Sequence, residues 1–201
     1  EHFVVCAAQI TSTKIVAPLG IVAIAANSFG ITAEALCYMP GYGIADAATT
    51  LVGQGIGAKK ENVAKYFAKI STMIGMVLMS AMAVIMFFAA PYIMAMLSAD
   101  AKVVALGTKV LRIEMFAEPM YAASIVASGA LRGAGDTFVP SLMNFGSIWL
   151  VRMPLSYLLS LSMGLRGMWF AMCIELIFRG SIFLYRLFKV RWWEKAKNRI
   201  Q

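Results

Sequence analysis

The sequence predicts an all-α, polytopic membrane helix bundle of six transmembrane helices, the first one truncated, and three observations predict it. Four apolar stretches of about twenty residues or more, 72–96, 103–131, 138–161 and 168–188, are separated by short loops carrying Lys, Arg, Gly and Pro. A spanning helix must cover roughly 30 Å of hydrocarbon at 1.5 Å per residue, and each stretch is long enough. Composition agrees, because 61% hydrophobic and 14% charged residues, with a mean hydropathy of +0.76, leave too little polar surface to cover a soluble domain of 201 residues. The basic residues, which give a net charge of +8, gather in loops and at the C-terminus. They form no stripe with interleaved aromatics, so they read as topology signals and nucleic acid is not an expected partner.

The elements follow in order. Residues 1–17 are too short to span and begin without a cap or a signal-type charged region, so they read as a helix entered partway along. Residues 21–52 can span, with a break or bend expected at Pro40-Gly41-Tyr42-Gly43, where proline removes a backbone hydrogen bond and glycine tolerates the bend. Helices at 70–96, 103–131, 138–161 and 167–188 complete a membrane lobe over residues 1–191, followed by a basic tail at 192–201. Trp192 and Trp193 stand where an interfacial aromatic anchor is expected.

Lys59, Lys60, Lys65 and Lys69, then Arg132, then Arg186, Lys189, Arg191, Lys195, Lys197 and Arg199 are separated by even numbers of crossings. They share one side, which the positive-inside rule makes the cytoplasm, with the C-terminus on it. Cys6, Cys37 and Cys173 lie apart in apolar segments without paired spacing, which points to buried packing rather than metal or disulfide chemistry.

Two strings stand out: Val52-Gly53-Gln54-Gly55-Ile56-Gly57-Ala58, and Leu131-Arg132-Gly133-Ala134-Gly135-Asp136-Thr137 followed by Pro140. Further on come Trp149-Leu150-Val151-Arg152-Met153-Pro154 and Gly167-Met168-Trp169. In this order the strings resemble the second lobe of the MATE (multidrug and toxic compound extrusion) transporters, over essentially the whole chain. The resemblance implies one lobe of a two-lobe, inverted-V transporter, whose N-terminal six-helix lobe is the expected partner. Membrane lipid and small organic cations are the other expected partners, and the expected setting is a bacterial inner membrane. No cofactor is expected beyond a coupling ion, H+ or Na+.

Read from the residues themselves, the glycine strings are structural. Gly53, Gly57 and Gly133 permit tight turns or close helix approach, beside Gln54, and Arg132 is placed to brace Asp136 through a charge-assisted hydrogen bond. Gating or hinge roles fit loops at the helix ends.

An ionisable group at bilayer depth costs at least about 2.5 kcal/mol, so Glu1, Lys14, Glu34, Asp46, Glu114, Glu118, Arg152, Glu175 and Arg179 each need a partner or a water-filled cavity. Glu175 and Arg179 are spaced i, i+4 on the last helix, either as a mutually compensated pair or as a proton or cation site. Glu114 and Glu118, one turn apart, read as a solvated pair near the outer half of their helix. The resemblance adds Glu1, because members with a coupling residue in this lobe carry a glutamate in its first helix. Gln9 lies along the same helix. Some sodium-coupled members add an aspartate on the fourth helix, where residues 121–128 here contain no acid.

Methionines and aromatics such as Phe87, Phe88, Tyr92, Phe116, Tyr121, Trp149 and Tyr157 suit either lipid and core packing or a cavity for apolar cations. No hydrolase motif or phosphate-binding glycine loop is present, and the lone His2 forms no triad, so an enzyme is not expected and an ion gradient must supply the energy. The leading expectation is half of a cation-coupled exporter of organic cations and xenobiotics. A lipid-linked precursor flippase would favour a strongly cationic cavity, for which Arg152 and Arg179 are few. A truncated, non-transporting fragment is the other alternative.

Overall fold

The structure, a computed structural model, describes residues 10–189 and Trp192, and every regular element among them is helical. A helical stretch at 10–16 runs into a 3-10 turn, Ala17–Leu19, and ends at Gly20, whose φ of 93° only glycine adopts without strain. The helices that follow are α1 (Ile21–Gly57), α2 (Glu61–Leu97), α3 (Ala101–Glu114), α4 (Glu118–Gly133), α5 (Phe138–Gly146), α6 (Met153–Met163) and α7 (Leu165–Lys189), with a π-helical turn, Ser147–Arg152, joining α5 to α6. By length and composition α1, α2 and α7 can each cross a membrane. The α3–α4 and α5–α6 pairs each make one longer, interrupted rod. The chain is an integral membrane protein with an all-helical fold.

Four expectations are corrected by the helix bounds. Pro40 does not break α1, which continues to Gly57 through the Gly-rich string. One lost hydrogen bond is offset by packing along the whole rod, where Gly41 abuts Met79 and Gly55 abuts Ala64. The next helix starts at Glu61, well before 70, because a 37-residue helix of about 55 Å outreaches the hydrocarbon and carries Lys65 and Lys69 on its projecting end. The expected single helix at 103–131 is interrupted between Glu114 and Glu118, since the ring of Pro119 clashes with the carbonyl four residues back, at Met115. The 138–161 helix contains the π-helical turn. Trp192 is no interfacial anchor: it is 2% exposed and packs in the core beside Phe183 and Leu187, with its indole nitrogen donating to Leu187 O at 3.2 Å.

Small residues set the spacing of the core. Gly129 of α4 lies against Ala45 of α1 and Gly133 against Thr49, leaving no room for a Cβ at either glycine. The Thr49 hydroxyl, 2.8 Å from both Ala45 O and Gly129 O, ties the two helices together. A Cβ on Gly53 would lie 3.3 Å from Gly133 O, so the turns after α1 and α4 share one end of the lobe, as the charge pattern requires.

Candidate functional site

At the middle of the lobe the structure collects acids from several helices. Glu34 comes from α1, Glu114 closes α3, Glu118 opens α4 and Glu175 lies on α7. Glu34 is 7% exposed and the other three are fully buried. The α3–α4 interruption brings two of them in: Ala117 N–H turns back to Glu114 O at 2.7 Å, and α4 restarts at Glu118 with Pro119 in its first turn.

The charges of Glu34, Glu114 and Glu118 act on one another, and that of Glu118 also acts on the Cys37 thiol, one turn along α1 from Glu34. Like charges gathered in a buried site repel, and a proton or cation held among them would relieve that repulsion. Among the described residues no hydrogen-bond donor satisfies the oxygens of Glu114 or Glu118. Arg152 and Arg179 are the cations whose fields act on Glu34.

Glu175 and Arg179 meet at 3.2 Å, with side chains 0% and 12% exposed, an ion pair turned to the interior. Its alignment is too poor for a hydrogen bond, and both Glu175 oxygens remain without a donor. The Arg179 guanidinium lies over the Tyr121 ring at 5.5 Å. Tyr38 packs edge-on against both Tyr42 and Tyr121 at 5.7 and 5.8 Å, forming an aromatic wall beside the acids.

Glu114 and Glu118 are therefore not the solvated pair expected from the sequence, because the proline break turns both carboxyls into the bundle. Glu34, noted only as an intramembrane charge, is their partner. The signal was present in Glu118-Pro119: irregular backbone at membrane depth is tolerated where it is buried in protein or lines a cavity. Glu1 and Gln9 lie outside the described residues. Gly53, Gln54, Gly57, Gly133, Arg132 and Asp136 gather at one end of the lobe, where Asp136 makes an ion pair with Arg186 of α7. That pair ties the loop to the last helix.

The family model MatE matches residues 1–158. The chain belongs to the MatE family, that is, the MATE transporters. It is 28% identical over 200 residues to the probable multidrug resistance protein NorM of Thermotoga maritima, covering 98% of this chain and 43% of that relative. It is 33% identical over 180 residues to the probable multidrug resistance protein NorM of Chromobacterium violaceum, covering 86% of this chain and 38% of that protein. A MOP superfamily transporter from Pyrococcus furiosus shares the fold at a TM-score of 0.88 and 19% identity, over 94% of this chain and 42% of that one. The MatE chain thus spans less than half the length of these relatives, as one lobe of the family's fold.

Proposed function

We propose that this MatE chain is the C-terminal half of a secondary active multidrug antiporter that exports organic cations and other xenobiotics, with protons as the coupling ion and sodium as the alternative. The observation that carries the reading is the set of three carboxyls, Glu34, Glu114 and Glu118, brought from three helices and buried inside the lobe. A charge in so dry a site is costly, so the cluster holds a proton or cation when closed and exchanges it when the lobe opens to water. Alternating access needs a second lobe to rock against, and the N-terminal half of such a transporter fills that role. Aromatic faces at Tyr38 and Tyr121 suit apolar cations.

Glu1 and Gln9, which lie outside the described residues, remain part of this reading, Glu1 as a second ion-responsive carboxylate. Lys59, Lys60 and Lys65 lie at the end of the lobe that carries Gly133, which supports a C-terminus on the cytoplasmic side of a bacterial inner membrane.

The test uses the full-length transporter in everted membrane vesicles with proton and sodium gradients imposed separately. Glu34→Gln and Glu114→Gln should each abolish proton-driven efflux of an organic cation while leaving the amount of protein in the membrane unchanged. Efflux persisting in both variants would remove the cluster from the coupling mechanism.

A further inference from the structure

Pro91 lies inside α2, which stays helical on both sides of it. Having no N–H, a proline leaves the carbonyl four residues back, here Phe87 O, without its helical donor. Another helix supplies one. Arg112 of α3 donates from Nε to Phe87 O at 3.0 Å, and its guanidinium stands 5.1 Å from the centre of the Phe87 ring. Among the described residues Arg112 meets no carboxylate within ion-pair distance. Phe87 precedes the end of α2 at Leu97 by about 15 Å along the axis, and a charge at such depth is costly without partners. The carbonyl freed by Pro91 and the ring are those partners.

Arg112 stands two residues before Glu114, about 200° away around α3, so the side chain that grips α2 and the buried acid lie on nearly opposite faces of one turn. That turn is weakly held by its own backbone. The helix ends at Glu114, and Pro119 brings no N–H to the carbonyl of Met115. Leu111 and Met115 share a core cluster with Met86 and Ala90, yet apolar contact is non-directional. The bond from Arg112 to Phe87 is directional, and a rotation that swings Glu114 out of the bundle must bend or break it.

We propose that Arg112 is a positioning residue for transport: anchored on the carbonyl that Pro91 frees, it fixes the rotation of the last turn of α3 and so aims Glu114 into the carboxylate cluster. This rests on the coupling role proposed above and names what holds one of its acids in place.

Arg112→Met, Arg112→Lys and Pro91→Ala are made in the full-length transporter, and kcat and KM for tetraphenylphosphonium efflux are measured in everted vesicles under an imposed proton gradient. Arg112→Met keeps an unbranched apolar side chain without the donor, and kcat should fall about tenfold or more while KM stays within about twofold of wild type. Arg112→Lys still carries a cationic donor and should recover most of that rate. Pro91→Ala hands Phe87 O back to its own helix and should also lower kcat, and the Arg112→Met, Pro91→Ala double variant should be no slower than the slower single. A wild-type rate in Arg112→Met or in Pro91→Ala, or losses that multiply in the double variant, overturns the proposal. If Arg112→Met does not reach the membrane, Pro91→Ala decides, and an unchanged kcat there overturns it. The Glu114→Gln variant separates the two readings. Proton-driven efflux surviving in it sinks the coupling site itself, whereas lost efflux there with a wild-type kcat in Arg112→Met sinks the positioning role alone.

Discussion

The indole nitrogen of Trp169 donates to Asn27 Oδ1 at 3.0 Å, joining α7 to α1 between positions 142 residues apart in sequence. Both residues are buried, Trp169 to 1% and Asn27 to 8% exposure, and the ring also fills the space over Gly30. Trp169→Phe keeps most of the apolar contact but leaves the Asn27 amide without its donor. The expected loss is about 1–3 kcal/mol, read from thermal unfolding of the detergent-solubilised transporter. Unchanged unfolding would mean that the bond contributes nothing net.

The Asp136–Arg186 pair should behave as a clasp on the end of the lobe. Its side chains are 10% and 13% exposed, so either one left alone is a poorly solvated charge. Asp136→Asn and Arg186→Gln should each destabilise the protein by roughly 2–3 kcal/mol. A double variant that loses no more than one of the singles indicates direct pairing; additive losses in the same unfolding assay would argue against it.

Glu175 and Arg179 invite a sharper comparison. Removing one member strands the other in the bundle, so Glu175→Gln or Arg179→Gln alone should cost roughly 3 kcal/mol or more. The double substitution should recover much of that loss, because two neutral amides need no counter-charge. If the double is the least stable of the three, the pair is not mutually compensated.

Glu1→Gln in the full-length protein should abolish gradient-driven efflux with insertion intact. The expectation comes from the resemblance to family members that carry a coupling glutamate in the first helix of this lobe, and from the cost of a carboxylate in a low-dielectric cavity. Efflux at the wild-type level would leave coupling to the Glu34–Glu114–Glu118 cluster or to the other lobe.

Length and apolarity alone dictated that this chain lies in a bilayer as a helical bundle, because a lipid solvent demands closed backbone hydrogen bonding and about twenty apolar residues per crossing. The ordered glycine strings pointed to the family, and the i, i+4 spacing of Glu175 and Arg179 was enough to pair them, since neighbours on one helix are set by its pitch. Only the tertiary structure drew Glu34, Glu114 and Glu118 inward together, put Arg186 on Asp136 and sank Trp192 into the core. These contacts link residues far apart in the chain, and periodicity within a helix says nothing about which neighbour its face will meet. Pro40 and Pro119 make the same point: one is absorbed by a well-packed helix and the other stops one, because packing around the proline decides whether the lost hydrogen bond and the ring clash are tolerated.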